Sequence, residues 1–579
     1  MVKSTQLILV AAYIALWAPA VPAGSAAEGA VRGFHTLMPG YWGGDGRPHI
    51  AECERFIREV LASRGVNVLV LEVGYNFQYK SCPKIGNLKA VGPDEVKRLV
   101  AVCRETGTRL IPELNCLGHQ ATGPGSLLGE YPDFQEKPGQ YPKFLKEPMP
   151  EQTRGASYCP LRPEVHKFVF TLLDELAETF DADTVHVGMD EVFAIASSQC
   201  PRCAEKDPAV LFAGEVNAIH EHLVSTKRAM WMWGDRFLLA RELGVVDWGW
   251  ATSRNYTHPA VDKVPTGIVV CDWQYERTPA TPQFFIRKGF RVVSCPWWME
   301  DVALKQLKMM RDLAADQDKK AAAKSLGIMQ TTWVEMQDFI TAWNDKIPPL
   351  EKQPEWQRKG DFPWKAAKRS ASVFKSLSEC WRLSDEELSK RLAEKEKEKP
   401  RTGAAGELVV WDGDGVAGGV GWAGPQSEAI TIRPQEAETH NGKVALEFRG
   451  EGKGWIGCLW NWHGWWPEGI GTDITPYTHL SFWIKVTGDA KPESLEAGLT
   501  CSTAKKTGAL SVTKYCADAL DGKWHEVLIP LKDFYDKEKT EFDQQKAQQL
   551  YLNTWSQTAS KFSIFVDEIG FDSRAAAKP

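Results

Sequence analysis

The 579-residue chain has no basic excess: 69 Lys and Arg stand against 75 Asp and Glu, for a formal net charge of -6. Without the positive footprint that a phosphate backbone requires, nucleic acid is excluded as a partner class. Beyond the first 30 residues no apolar run reaches the ~18 residues of a membrane-crossing helix, so no stable membrane insertion is expected. No internal repeat is present. Metal-ligand spacing is scarce: Cys200-Pro-Arg-Cys203 is a single pair, and one pair without a second is a weak sign of a metal. A local disulfide or two free thiols is the simpler reading, and no metal is assigned. Thirteen cysteines define no disulfide framework, and the odd count leaves at least one thiol unpaired within the chain. Apolar residues make up 43 % and charged residues 25 %, which excludes disorder over the whole length. What is abundant is Trp, 24 against 13 Tyr. Indoles need partners for both the ring face and the N–H, and sugar-binding clefts supply both.

The start of the chain reads as a secretory signal over residues 1–27, with Lys3, an apolar core over 7–16 and small residues over 20–27. No Cys follows it closely, which argues against lipid attachment. The expected location is secreted or periplasmic.

At roughly 100–200 residues per domain the length predicts two to four domains. Short apolar runs rich in Val and Ile recur over 31–38, 66–73, 109–116, 184–191, 228–235, 267–273, 291–298 and 327–335. Their continuous apolar character predicts strands buried on both faces, as in a parallel sheet. Helical patterns lie between most of them, over 50–64, 93–106, 163–180 and 211–226, the last three at or just after a proline. Eight strands with intervening helices predict an α/β fold, a (β/α)8 TIM barrel over 28–365. A doubly wound open sheet is the alternative. A helix and linker follow over 366–406, the linker at 400–406. Residues 407–573 carry short alternating runs between Gly, Asp and Asn, the pattern of an all-β, jelly-roll-like sandwich.

In such a barrel the active site forms at the carboxyl ends of the strands. Taken in order, those ends carry Arg32 and His35, then Glu72, then Glu113 and Asn115 with His119 beyond. Next come Asp190 and Glu191, Trp231, Trp233, Asp235 and Arg236, Asp272, Trp273 and Tyr275, Trp297 and Trp298, and finally Trp333 and Glu335. Carboxylates ringed by indoles suit the hydrolysis of glycosides, because aromatic faces stack on sugar C–H faces and carboxyl groups protonate the leaving oxygen. Blander readings stand beside these. Trp231 would fill the barrel, Glu72 and Asp272 would pair with cations at its rim, and His186 would bond to a neighbouring strand. Asp190-Glu191 would cap a helix.

Two segments carry a resemblance. His186-Val187-Gly188-Met189-Asp190-Glu191 resembles the H-x-G-G-D-E signature of family 20 glycoside hydrolases, the β-N-acetylhexosaminidases. Residues 111–119, Ile-Pro-Glu-Leu-Asn-Cys-Leu-Gly-His, resemble that family's I-P-E-x-D-x-P-G-H segment. Arg32-Gly33 and Trp333-Val334-Glu335 are similar to its first and last strand motifs. The resemblance implies Asp190 as the carboxylate that orients the substrate's 2-acetamido group, the internal nucleophile. It implies Glu191 as general acid and then general base, Arg32 as a ligand of sugar hydroxyls, and Trp273 and Trp333 as pocket walls. Met189 departs from the second Gly of the signature, and Asn115 and Leu117 from an Asp and a Pro. The family's Tyr-x-Asp element at strand 7 is not evident, and Tyr275 is the candidate substitute.

The reading is therefore an exported hydrolase of terminal β-linked N-acetylhexosamine, acting on glycan without a cofactor. A second reading pairs Glu191 with Glu335 as acid and nucleophile on neutral sugars, and a third is a glycan-binding protein without catalysis. The C-terminal part resembles a carbohydrate-binding module. Trp460 and Trp462, two apart on one strand face, are its expected glycan platform, with an ordinary sandwich core as the alternative. Asp412, Asp414 and Asp567 are the weak candidates for a structural Ca²⁺.

Overall fold

The computed structural model describes residues 30–42, 44–86, 89–120, 125–136, 157–243, 251–253, 255–275, 277–348, 364–396, 401–402, 406–411, 420–423, 431–434, 439–441, 444–462, 471–490, 492–503, 505–535 and 541–573. The signal expected over 1–27 lies outside them. Among the described residues two compact units separate between Trp381 and Arg382.

The first unit is a closed barrel of eight strands: β1 (Val31–Leu37), β2 (Val68–Glu72), β3 (Arg109–Cys116), β4 (Thr184–Gly188), β5 (Ala229–Trp233), β6 (Val269–Asp272), β7 (Arg291–Ser294) and β8 (Ser325–Gln330). Every neighbouring pair is parallel, and β8 closes on β1 from Val31↔Gly327 to Phe34↔Gln330. Closure excludes the open sheet. Gly327 sits at φ +128 with the Val31 backbone where a Cβ would stand, so only glycine lets the last strand approach the first. Trp231, with Val68, Val70, Ile111, Val269 and Met329, fills the interior.

Helices α1 (Ile50–Phe56), α2 (Pro93–Glu105), α3 (Pro163–Thr179), α4 (Pro208–Ser225), α5 (Thr281–Lys288), α6 (Glu300–Ala314) and α7 (Met336–Trp343) follow the strands, with a single helical turn, Ala240–Leu243, after β5. Their starts show why proline opens several of them, since the first turn has no use for an N–H there. At α2 Pro93 follows Gly92, whose N–H is accepted by Glu95 Oε2 at 3.1 Å. At α4 the Asp207 carboxylate caps Ala209 N (2.8 Å), so this helix begins ahead of the expected 211. The expected helix over 50–64 leaves α geometry at Ile57 and finishes as a π-helical turn, Ile57–Leu61. Helix α8 (Trp364–Cys380) ends the unit.

The second unit contains helix α9 (Asp385–Glu396) and an antiparallel all-β domain of β9 (Arg401–Thr402), β10 (Leu408–Trp411), β11 (Val420–Ala423), β12 (Thr431–Pro434), β13 (Val444–Asn461), β14 (His479–Ala490), β15 (Ser494–Cys501), β16 (Leu510–Ser511), β17 (His525–Pro530) and β18 (Ala547–Asp572). Part of the stretch expected as linker is thus sheet, because β9 pairs with β10. The spine is β18, flanked by β13 on one side and by β15 and then β14 on the other.

The expected platform is corrected here. Trp460 and Trp462 do share a face, but it is the core face: they are 1 % and 2 % exposed, packed with Ile456, Cys458, Leu552 and Phe571. Trp460 meets Trp411 edge-on at 5.4 Å, and Trp462 Nε1 donates to Thr472 Oγ1 at 3.1 Å. The opposite parity carries the exposed indoles. Trp455 and Trp555 are 49 % and 46 % exposed and stand directly opposite each other in the ladder. The Trp455 ring lies over Gly457, and the Tyr551 ring over Gly498 on the neighbouring strand, where side chains would otherwise stand. Asp412 and Asp414 lie outside the described residues. Asp567 accepts from the backbone N–H groups of His440 (3.0 Å), Asn441 (3.2 Å) and Glu568 (2.9 Å), which makes it a loop anchor.

Candidate active site

The barrel floor is a buried polar network. Glu113 of β3 accepts from Trp233 Nε1 (2.7 Å) and faces His35 Nε2 (3.2 Å) and His186 Nδ1 (3.1 Å). Burial alone would raise its carboxyl, but the two imidazoles hold it well below the usual carboxylate range. Burial would likewise depress His186, yet Glu113 pushes it up to about 10. The expectation that His186 bonds to a neighbouring strand therefore holds. Glu113 and Trp233, expected to touch substrate, are fully buried and support the site from below. Glu72 does not pair with a rim cation. It accepts from Tyr41 Oη at 2.6 Å, and burial beside the charged Glu113 pushes it to about 8. Asp272 accepts from Thr281 Oγ1 (2.6 Å) and is pushed by burial to about 7.

Above this floor lies the constellation at the ends of β3 and β4. Leu117, His119, Met189 and Glu191 all have positive φ (63°, 55°, 73° and 49°), a conformation L-residues hold only where their surroundings over-determine it. Gly188, at φ 64°, leaves the space that Asn115 occupies. Asn115 Nδ2 donates to Asp190 Oδ1 at 2.6 Å, and Met189 N donates to Asn115 Oδ1 at 3.2 Å. His119 Nε2 lies 3.4 Å from Asp190 Oδ2 and 3.3 Å from Glu191 Oε2, one imidazole bridging both carboxylates. Burial would raise Asp190, but His119 and Asn115 lower it, so it is an anion; His119 is raised in turn. The backbone N–H of Glu191 donates to Asp235 Oδ2 (3.0 Å), which also accepts from Arg236 Nε (2.6 Å). Asp190-Glu191 thus belongs to a cluster joined through His119 and Asp235, and no helix starts on it.

An aromatic wall continues from Asp235. Trp273 Nε1 donates to Asp235 Oδ1 (3.3 Å), and the Trp273 ring stacks on Tyr275 at 5.1 Å. Tyr275 meets Trp297 edge-on (5.3 Å) and accepts from Trp333 Nε1 (2.7 Å). Trp333 is itself at φ 54° and packs on Trp233 (5.4 Å) and His35 (4.8 Å). His119, Asp190, Glu191, Asp235, Trp273, Tyr275, Trp297 and Trp333 are therefore linked by contacts into one site.

Two expected members are elsewhere. Arg32 lies at the amino end of β1, where its Nε donates to the Gly65 carbonyl (2.7 Å) ahead of β2, at the barrel end opposite Asp190. Glu335 serves the β1 loop: its Oε2 accepts from Gly40 N and its Oε1 from Trp42 N, both at 2.8 Å. Tyr41, carried by that loop, was not anticipated, and nothing in its Gly-rich context marks it. The role of Asn115 was legible as a departure from the family segment. The triads His35, Glu72, Glu113 and His119, Asp190, Glu191 each have ligand-type atoms within 4.8 Å of one another, but each is already joined by its own hydrogen bonds and ion pairs.

The floor has a pH consequence. Glu72 binds a proton more tightly folded (about 8) than unfolded (roughly 4.3), so its contribution falls as pH rises between those values. His186, raised to about 10, contributes fully below roughly 6.5 and loses this as pH rises through 10. Both slopes point downward, so the barrel's Tm should fall between pH 7 and 10. Glu72→Gln keeps the Tyr41 bond and removes one slope. Its Tm should gain on the wild type from pH 5 to 9, and a constant difference across that range would show that Glu72 does not titrate in the fold.

Residues 81–349 match glycosyl hydrolase family 20, catalytic domain, and residues 409–573 match carbohydrate binding domain 30. A β-hexosaminidase of Akkermansia muciniphila is 34 % identical over 118 residues, 19 % of this chain and 21 % of that protein. A lacto-N-biosidase of Bifidobacterium bifidum is 26 % identical over 194 residues, 31 % of this chain and 16 % of that one. The chain thus spans about a fifth of the length of these curated relatives. Among solved structures, a chitobiase of Flavobacterium johnsoniae is similar at 17 % identity and TM-score 0.40, over 63 % of this chain and 52 % of that one. A family 30 carbohydrate-binding module of Clostridium thermocellum is similar at 21 % identity and TM-score 0.24, over 29 % of this chain and 98 % of that one. Over residues 81–349 the chain thus resembles the catalytic domain of glycosyl hydrolase family 20, and over residues 409–573 carbohydrate binding domain 30.

Proposed function

We propose that the protein is an exported glycoside hydrolase that releases terminal β-linked N-acetylhexosamine by a substrate-assisted, retaining route without a cofactor. The observation that carries this reading is the pair of adjacent carboxyl groups on one imidazole, with Asp190 held as an anion. In the first step the acetamide oxygen attacks the anomeric carbon while Glu191 protonates the departing oxygen. The resulting oxazolinium would keep its N–H against Asp190, and Tyr275 would donate to the acetamide oxygen. In the second step Glu191, now a carboxylate, takes a proton from water as that water opens the ring at the anomeric carbon. The substrate brings its own nucleophile, so no second enzyme carboxylate is needed. Glu335 is held by two backbone amides, which disfavours the reading that makes it a nucleophile on neutral sugars. Hydrolysis of an aryl N-acetyl-β-glucosaminide, compared with the matching glucoside and galactoside, tests the proposal. Equal rates on all three would overturn the acetamide's role, and no hydrolysis of any would favour a glycan-binding protein.

In the C-terminal domain we assign the glycan surface to Trp455 and Trp555. Replacing Trp455 and Trp555 together by Ala should weaken retention on polymeric glycan at least tenfold, since contact aromatics commonly contribute more than about 1 kcal/mol each. Tm should stay nearly unchanged, because both rings are half in solvent. Trp460→Ala should do the reverse, costing about 3–5 kcal/mol of stability as a core truncation. A Trp455/Trp555 variant that binds normally would move the glycan surface elsewhere.

A further inference from the structure

All thirteen cysteines are free in the structure, and three of them converge. Cys159 in the loop after β3, and Cys200 and Cys203 in the loop after β4, meet the carboxylate of Glu136, and all four side chains are buried. One ligand atom from each lies within 4.8 Å of every other. Backbone bonds set this up on both sides. Glu136 N donates to Ser157 O and Cys159 N to Phe134 O, both at 2.8 Å, so a short antiparallel bridge centred on Gln135 and Tyr158 puts Glu136 and Cys159 on one face. Across from it, Cys200-Pro-Arg-Cys203 forms a turn in which Ala204 N donates to Cys200 O at 3.0 Å, presenting both sulfurs to one side.

The Cys159–Cys200 spacing is too long for a covalent bond and accommodates a shared ion. Cys159 Sγ and Cys200 Sγ are 3.6 Å apart. A disulfide requires about 2.05 Å. Two sulfurs on one tetrahedral Zn²⁺, each at ~2.3 Å, are separated by about 3.7–3.8 Å. Cys203 Sγ lies 2.6 Å from Glu136 Oε1, which also accepts from Ser197 N at 2.9 Å. Glu136 Oε2 is buried and, among the described residues, has no hydrogen-bond partner. A buried carboxylate oxygen without a partner is costly, and a cation is the group that would satisfy it. A disulfide would use two of the three sulfurs and leave the third against that carboxylate, whereas an ion uses all four groups.

We propose that Glu136, Cys159, Cys200 and Cys203 form a closed structural Zn²⁺ site that staples the loops after β3 and β4. Three thiolates and a carboxylate favour a soft, tetrahedral divalent ion, and four protein ligands leave no open position for catalysis. The stapled loops are the ones that begin with His119 and Glu191, so the ion holds the two halves of the carboxylate cluster in register from outside it.

The test uses the full-length protein produced with zinc present and then passed over a chelating resin. Elemental analysis should find about one Zn per chain, and X-ray absorption should find three sulfurs near 2.3 Å with one lighter ligand. Co²⁺ replacement should give the intense visible bands of a tetrahedral thiolate site. Glu136→Gln should retain Zn less tightly, and Cys200→Ser with Cys203→Ser should lose it, while Cys53→Ser, on the buried face of α1, should keep it. Should the double variant fail to fold, the wild-type metal content and thiol count decide alone. Zinc-free wild type overturns the proposal, whether denatured, unreduced protein then shows thirteen thiols or two fewer, the latter revealing a disulfide instead.

Discussion

Glu191→Gln should lower kcat by about 10²–10⁴-fold on glycans with poor leaving groups, the range that general acid–base catalysis contributes. The change leaves the scaffold intact. The Glu191 backbone N–H stays on Asp235, and its positive φ is set by the turn rather than by the carboxyl. The defect should shrink on an aryl glycoside, whose leaving group departs without protonation, so that the second step becomes limiting. A loss of equal size on both substrates would remove Glu191 from the acid role.

Asp190→Asn should cost about 10²–10³-fold on N-acetyl substrates, the scale found when one preorganised electrostatic partner of a charged transition state is removed. Positive charge develops on the acetamide nitrogen as its oxygen attacks, and a neutral amide at position 190 no longer balances it. The bond from Asn115 Nδ2 can persist to the new side-chain oxygen, so the fold should survive. His119 would lose its anionic neighbour Asp190, and its imidazolium should titrate at lower pH. A thiazoline mimic of the cyclised intermediate should inhibit the wild type and bind the variant less tightly. Unchanged inhibition would mean that Asp190 does not touch the acetamide.

The bodies of the barrel strands were legible because strands buried on both faces leave short, mostly apolar runs rich in Val, as at Val68–Glu72 and Val269–Asp272. Strand ends were less so. Pro296, Trp297 and Trp298 extend the apolar run of β7 but lie past its last ladder residue, Ser294. At the ends of β3, β4 and β8 the chain turns into positive φ, which composition does not announce. The reading of which side chains come together holds where residues follow directly from a strand end, as with Asp190, Trp273 and Trp333. It failed where a side chain's direction decides. Arg32 sits at the start of its strand and faces the other end, and the Glu335 carboxylate reaches a loop almost the whole barrel away in sequence. In the all-β domain, period two correctly grouped Trp460 with Trp462 but does not say which face is inside. The clue was present in parity: Ile456 and Cys458 fall in step with them, and Trp455 does not.

The clasp between Glu335 and the β1 loop also orders events during synthesis. Gly40 and its carboxylate partner are 295 residues apart in the chain, and at ~5–20 residues per second the ribosome needs roughly 15–60 s to join them. Until β8 emerges, β1 has no closing neighbour, and the loop of Tyr41 and Trp42, though Tyr41 can already reach Glu72, lacks its two bonds to Glu335. The nascent chain therefore carries His119, Asp190 and Glu191 in full long before it has a finished rim around them. Activity on a growing chain should appear abruptly, once residue 335 clears the exit tunnel, and not in proportion to the length translated.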